Sequence, residues 1–314
     1  MSAEPMRSAA TAKIRPFYWS VRRELWENRA FYLAPLAVAA VTLFGFLVSS
    51  FRLPHAVRKA AEAQAILAAH PVDPDVAKAA RRALHAAELP YDMITGFIFL
   101  TVIVVSVFYA LGALHGERRD RSILFWKSLP VSDLTTVLAK AALPLLVGPV
   151  VVFAVSFGVH LVMLTWSALV MMLNGMPLTA LTDQLPFPFI WLGLSRGLVV
   201  MALWYAPVVG WLLLVSGWAR RMPILWAIGP WAALLILERL VFNSDVVYRA
   251  LQGRLAGGFA QAFTIHGEGK TPIHTVADLD LMPVLANPNL WFGLLLFAGL
   301  IAAAVRLRRY RDPI

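Results

Sequence analysis

The chain has 314 residues, 60% of them hydrophobic, a mean hydropathy of +0.70 and a formal net charge of +10. A soluble domain is about 45–50% apolar, so a single soluble core does not absorb this excess, and the absence of cysteine excludes disulfides, thiol catalysis and Cys-type zinc sites. The positive charge falls in the gaps between apolar runs, which is the pattern of membrane topology and not of a nucleic-acid-binding face.

Taken in chain order, residues 1–30 are polar and basic. Within 14–29, Trp19, Leu25 and Trp26 alternate with Arg22, Arg23, Glu24 and Glu27. This predicts an amphipathic helix on the cytosolic membrane surface, with Trp19 and Trp26 in the headgroup layer and Arg22 and Arg23 toward phosphates. The first apolar run is too long for a signal-peptide core and no small-residue cleavage pattern follows it, so it is read as a retained helix. Crossing the hydrocarbon takes about 20 apolar residues. Six stretches qualify: 31–51, 93–114, 141–173, 190–218, 223–242 and 290–307. The expected fold class is therefore an all-α integral membrane protein with about six transmembrane helices. Pro35, Pro144, Pro149, Pro207 and Pro230 fall inside these stretches, which membrane helices tolerate because neighbouring groups satisfy the freed carbonyls.

Two loops are long. Residues 52–92 are Ala-rich and interrupted by Pro71, Asp73 and Pro74. They read as two short helices forming an extracytoplasmic hairpin, with Asp73 or Asp75 as the cap of the second. Residues 243–289 carry several glycines and three prolines. They read either as an ordinary surface loop or, over 246–263, as an interfacial or re-entrant segment. Lys and Arg orient the whole. Arg7, Lys13, Arg15, Arg22, Arg23 and Arg29 precede the first stretch, and Arg118, Arg119, Arg121, Lys127 and Lys140 follow the second. Arg220 and Arg221 follow the fourth, and Arg306, Arg308, Arg309 and Arg311 close the chain. The positive-inside rule places all of these, and both termini (the tail being 308–314), in the cytosol of a bacterial-type inner membrane.

Residues 115–140 are the most informative segment. Glu117-Arg-Arg-Asp-Arg121 opens it, Ser122-Ile-Leu-Phe-Trp126 follows, and Ser128-Leu129-Pro130-Val131-Ser132 closes it. The pattern predicts a short cytosolic helix with a charged start, ended by Pro130, and then a new helix capped by Ser132 or Asp133. An apolar cluster in such a loop calls for a partner surface. Here the chain resembles the membrane permeases of type-2 ATP-binding-cassette (ABC) exporters, in which an acidic-basic start, a few apolar residues and a Leu-Pro-hydroxyl turn form the coupling helix that docks on the nucleotide-binding subunit. The resemblance is sharp over 117–140 and elsewhere rests on layout; the long 52–92 hairpin departs from the family's usual small first outer loop. It implies that Glu117, Arg118, Arg121, Ser122, Phe125, Trp126, Leu129 and Pro130 form the ATPase-coupling interface. It also implies two ABC ATP-binding subunits as partners and a second permease, as a homodimer. The chain has no Gly-x-x-x-x-Gly-Lys-Ser/Thr loop, so ATP and Mg are expected on the partner subunit and no cofactor on this chain.

Charge inside the bilayer is costly and marks a functional hypothesis. His160 falls in the third stretch, Arg196 near the start of the fourth and Glu238 near the end of the fifth. Arg196 and Glu238 are placed to pair, either to hold the helices together or to line a translocation path. Gly193-Leu-Ser195-Arg-Gly197 formally matches a hydrolase elbow, but that motif needs a strand–turn–helix setting and here lies in an apolar helical run. No enzyme activity is expected of the chain by itself. The alternative to a permease is a stand-alone membrane enzyme or membrane-anchored scaffold.

Overall fold

The computed structural model describes residues 4–69, 74–128, 130–176, 187–263 and 280–311. Among them the secondary structure is helical with no strand. Six helical stretches are long and apolar enough to cross a membrane: span 1 Ala30–Ala63, span 2 Leu89–Arg119, span 3 Asp133–Leu173, span 4 Phe187–Trp218, span 5 Pro223–Phe242 and span 6 Pro288–Tyr310. This is the make-up of a multi-pass membrane protein. The six agree with the apolar stretches in the sequence, and several extend past them.

The extensions have local causes. Helix α1 (Glu4–Glu27) precedes α2 (Ala30–Ser49). A 3₁₀ turn, Ser50–Arg52, then leads into α3 (Leu53–Ala69). Next, α4 runs unbroken over Pro74–Gly112. The hairpin thus consists of α3 packed against the first part of α4, and its second helix is continuous with span 2 instead of being a separate short piece. Pro90 stands inside α4 without ending it, after a run of good helix formers, Ala83-Leu-His-Ala-Ala-Glu-Leu89. Of the two expected caps, Asp73 lies outside the described residues and Asp75 stands inside α4. Span 3 starts early because Ser132 caps α7 (Asp133–Ala142), its hydroxyl accepting from Thr135 N at 3.1 Å. A π turn over Leu143–Val147 then accommodates Pro144, which has no N–H to give the ladder, and α8 (Gly148–Leu173) continues the span.

Span 4 is α9 (Phe187–Trp218), and it forms the centre of the bundle. It packs against spans 2, 3 and 6 and is the most buried of the six described spans. Gly210 allows the close approach of Phe297 and Leu300, and Gly217 that of Leu114 and Leu307; small residues at such crossings let apolar helices meet without a hydrophobic drive between them. Span 5 consists of α10 (Pro223–Leu237) and a second π turn, Glu238–Phe242. It is the least buried of the six described spans. It leans on span 4 through tryptophans: Trp211 meets Trp231 edge-on at 5.7 Å, Trp218 meets Trp226 at 4.7 Å, and Trp211 Nε1 donates to Ala227 O at 3.0 Å.

The segment after span 5 folds back into the bundle. Helices α11 (Val246–Leu255) and α12 (Gly257–Phe263) pack on span 4. Arg254 Nη1 donates to Trp204 O at 3.1 Å, Trp204 Nε1 donates to Arg254 O at 3.0 Å, and the Tyr205 hydroxyl donates to Leu255 O. Trp204 lies 14 residues before the end of span 4, about 21 Å along the helix, so the contact falls near the middle of the span. Over 246–263 the chain is helical and packed on span 4, whereas the sequence left it open between a surface loop and an interfacial or re-entrant segment. A short helix α13 (Met282–Leu285) leads to α14 (Pro288–Tyr310), which is span 6.

Candidate functional site

The connector between spans 2 and 3 and the elements beneath it form the most densely charged interior of the molecule. It is two short helices, α5 (His115–Arg119) and α6 (Ser122–Lys127), and not the single helix that the sequence suggested. Arg121 separates them in the left-handed conformation, φ 57°. Its base is tied to the end of span 4. Leu114 N and His115 N both donate to Ser216 Oγ, at 3.0 and 2.9 Å, and Arg118 Nη1 donates to Gly217 O at 2.8 Å. The first two serve N–H groups at the start of α5, and the third serves a carbonyl that the end of span 4 leaves open.

Five side chains of alternating charge run through this end of the bundle. Lys140 Nζ lies 2.8 Å from Glu24 Oε1 and 3.0 Å from Glu117 Oε1. Arg308 Nη2 lies 3.4 Å from Glu117 Oε2, and Arg308 Nη1 bonds Asp133. The Tyr109 hydroxyl donates to Glu24 Oε2 at 2.8 Å, and Arg23 Nη2 to Glu24 Oε1 at 3.0 Å. The side chains of Glu24, Lys140, Glu117 and Arg308 are at most 9% exposed. The chain of contacts therefore joins α1, span 2, the connector, span 3 and span 6. Buried charge persists only where it is paired and hydrogen-bonded, and here each carboxylate has at least one cationic partner.

Burial alone raises the Glu24 carboxyl, but the charge and hydrogen bond of Lys140, with those of Tyr109 and Arg23, outweigh it and hold Glu24 below its ordinary value of 4.5. A folded-state value below the unfolded one contributes stability above the ordinary range, which is lost as pH falls through the folded value. Half-exposed Glu27 is pushed up by burial and by the charge of Glu24, so it takes its proton first, and because its folded value lies above the unfolded one that step adds stability. Thermal stability is accordingly expected to rise slightly as pH falls toward about 4.5 and to drop below it, with Glu24→Gln flattening the drop. Circular dichroism melts at stepped pH check this.

Above the charged layer the surface is apolar. Leu124 and Phe125 are 59% and 60% exposed, while Ile123 is buried. The Trp126 ring lies under the Arg23 guanidinium at 3.9 Å and meets Phe125 edge-on at 4.9 Å. Of the connector residues singled out in the sequence, Arg121, Phe125 and Pro130 face outward, and Ser122 and Trp126 are half-buried. Glu117 and Arg118 are turned inward, 9% and 4% exposed, so they hold the connector to the bundle and offer no surface. Leu129 lies outside the described residues. On α1, Trp19 and Trp26 are exposed, with Arg22 stacked over both rings at 5.1 and 4.4 Å, while Arg23 turns inward.

The three intramembrane candidates are separate from this layer and from one another. His160 Nδ1 accepts from Trp191 Nε1 at 3.4 Å; an indole only donates, so Nε2 carries the proton and faces Tyr91 O at 3.3 Å and Thr95 Oγ1 at 3.0 Å. Arg196 donates to Ala262 O at 2.9 Å and to Asp280 O at 3.2 Å, tying span 4 to α12 and to the residues just before α13. Glu238 accepts from Ser244 Oγ at 2.8 Å and from Val246 N at 2.6 Å, capping α11. The expected Arg196–Glu238 pair is not formed. Each is served by backbone groups instead, Arg196 by carbonyls 66 and 84 residues away and Glu238 by an N–H only eight residues away. Among the described residues no group of His, Asp or Glu is arranged to hold a metal ion.

Fold and site together define a multi-pass helical membrane protein with a charge-locked connector at its basic end. Neither a family model, nor a curated protein, nor a solved structure matches the chain.

Proposed function

We propose that the chain is the membrane permease subunit of a type-2 ABC exporter in a bacterial-type inner membrane, with both termini and the connector in the cytosol. The observation that carries this reading is the pairing of an exposed Leu124–Phe125 surface with a rigidly held base. A docking helix needs both: an apolar face for the partner to grip, and a stiff link from that face to the helices that move. Glu117 supplies the link, since its ion pairs with Lys140 and Arg308 reach spans 3 and 6, and Arg118 adds span 4. On this reading two permeases and two ATP-binding subunits make the working unit. Closure of the ATPases around ATP and Mg displaces the connectors, and the charge layer passes that displacement to α1 and the spans.

The connector separates two kinds of variant. Phe125→Glu or Arg121→Glu changes only the outward surface; each is expected to leave expression and melting unchanged and to lower recovery of the ATP-binding subunit by about tenfold, as loss of an interface anchor does. Glu117→Lys instead breaks the buried layer and is expected to lower stability first. The measurement is affinity purification of the tagged chain in mild detergent from cells expressing the neighbouring genes, followed by an ATPase assay. Recovery of the chain alone, with no ATPase bound, would overturn the proposal and favour a stand-alone membrane protein.

A further inference from the structure

Spans 4 and 6 enclose a groove of about 600 Å³ near their basic ends. One wall is a single face of span 4, Trp211, Leu214, Val215 and Trp218, at the i, i+3, i+4, i+7 spacing of a helix stripe. The facing wall on span 6 begins with Ala303 and Leu307 and ends at the mouth with Arg306 and Arg311. The walls are thus apolar in depth and cationic at the rim. No Asp or Glu lines the groove among the described residues. Arg311 Nη1 donates to Trp218 O at 2.7 Å, which fixes the guanidinium at the mouth, and Arg306 is exposed. Arg220 adds positive charge nearby, since it and Arg311 both act on Arg118.

From this geometry we infer that the groove is a binding site for an anionic phospholipid, its phosphate on Arg306 and Arg311 and an acyl chain along Trp211, Leu214 and Val215. The match is one of charge and depth. A guanidinium binds a phosphate oxygen pair through parallel N–H donors, and a basic pocket between membrane helices at the charged leaflet suits an acidic headgroup. The volume lies within the range of cavities that enclose small ligands. Trp218 and the tyrosine beside the rim, Tyr310, lie where aromatic side chains sit at the headgroup level. The inference rests on the chain crossing a membrane and is independent of any ATPase partner.

Native mass spectrometry of the full chain in detergent tests it, with phosphatidylglycerol and phosphatidylcholine of identical acyl chains as probes. Retention of phosphatidylglycerol is expected to exceed that of phosphatidylcholine by about tenfold, and the Arg306→Gln/Arg311→Gln double variant to remove the difference. Ala303→Trp fills the groove and keeps both arginines; it is expected to reduce retention of phosphatidylglycerol as well. Arg221→Gln, outside the groove, is the control. Equal retention of the two lipids would overturn the inference, as would unchanged selectivity in the double variant, which alters only rim residues and does not depend on the tolerance of Ala303→Trp. Displacement of the lipid by millimolar glycerol phosphate or inorganic phosphate would show a headgroup-anion site without a lipid groove, and would overturn it too.

Discussion

Lys140→Met is expected to lower the stability of the chain by about 3 kcal/mol, the lower end of the cost of breaking a buried ion pair. Lys140 is the shared cation of Glu24 and Glu117, with its side chain 4% exposed. Its removal leaves two carboxylates in a water-poor layer. The cost stays at the lower end because Glu24 keeps Tyr109 and Arg23, and Glu117 keeps Arg308. Packing does not explain the loss, since Met nearly matches the Lys stem. Two comparisons isolate the charge term. Lys127→Met, whose lysine is exposed and donates to Arg309 O at 3.3 Å, is expected to change little. Adding Glu24→Gln to Lys140→Met is expected to recover part of the stability, because one stranded charge is gone. Melting of the detergent-solubilised chain, followed by size-exclusion fluorescence, reads all three. A melt of Lys140→Met equal to the parent would show that the layer is hydrated and the ion pairs weak.

The second large effect lies at α11 and α12, where they pack on span 4. A side chain at Gly258 meets the Trp204 indole and the Tyr205 ring at once. Trp204 has no room to retreat: it is 4% exposed and its Nε1 is held by Arg254 O. Gly258→Leu is therefore expected to cost about 3 kcal/mol, the upper part of the range for overpacking, and to lift α12 off span 4. The neighbouring glycine gives the contrast, for a Cβ at Gly257 meets nothing within 4 Å. Gly257→Ala is expected to be neutral or to stabilise by about 0.5–1 kcal/mol, because alanine loses less backbone entropy in a helix. The cysteine-free chain makes displacement directly observable: a cysteine introduced at Ala262, 2% exposed, is expected to be protected from a maleimide in the parent and labelled in Gly258→Leu.

The spans were legible in the sequence because hydropathy over twenty residues is a local property, and the same holds for Ser132 as a cap. The charge layer was not legible. Glu24 and Lys140 are 116 positions apart, and Arg308 and Glu117 are 191 apart. Nothing in either neighbourhood marks the partner. One signal was present: Lys140 stands alone in an apolar run, Val-Leu-Ala-Lys-Ala-Ala-Leu, and a lone cation there asks for a buried acid. Arg308 was read only as one of several basic residues at the end of span 6, and Glu24 only as part of a surface helix. The connector motif was visible, but the run Glu117-Arg118-Arg119-Asp120-Arg121 looks uniformly solvated. Its division into an inward half and an outward half depends on the left-handed break at Arg121 and on the position of the span 4 terminus, both properties of the folded chain. Glu238 misled for a different reason: a charge in an apolar run invites a distant countercharge, whereas backbone N–H groups at the start of α11 served it instead.

The tryptophan contacts that hold span 5 give that helix an optical signature of its own. Four of the eleven tryptophans stand as two perpendicular indole pairs across the span 4–span 5 boundary, close enough for their transitions to couple. Withdrawal of span 5 would separate both pairs at once and leave the hydrogen bonds inside every helix intact. Near-ultraviolet dichroism would change while the far-ultraviolet helix signal stayed constant. A loosely buried span can therefore be followed in solution by native chromophores alone, and its motion told apart from unfolding.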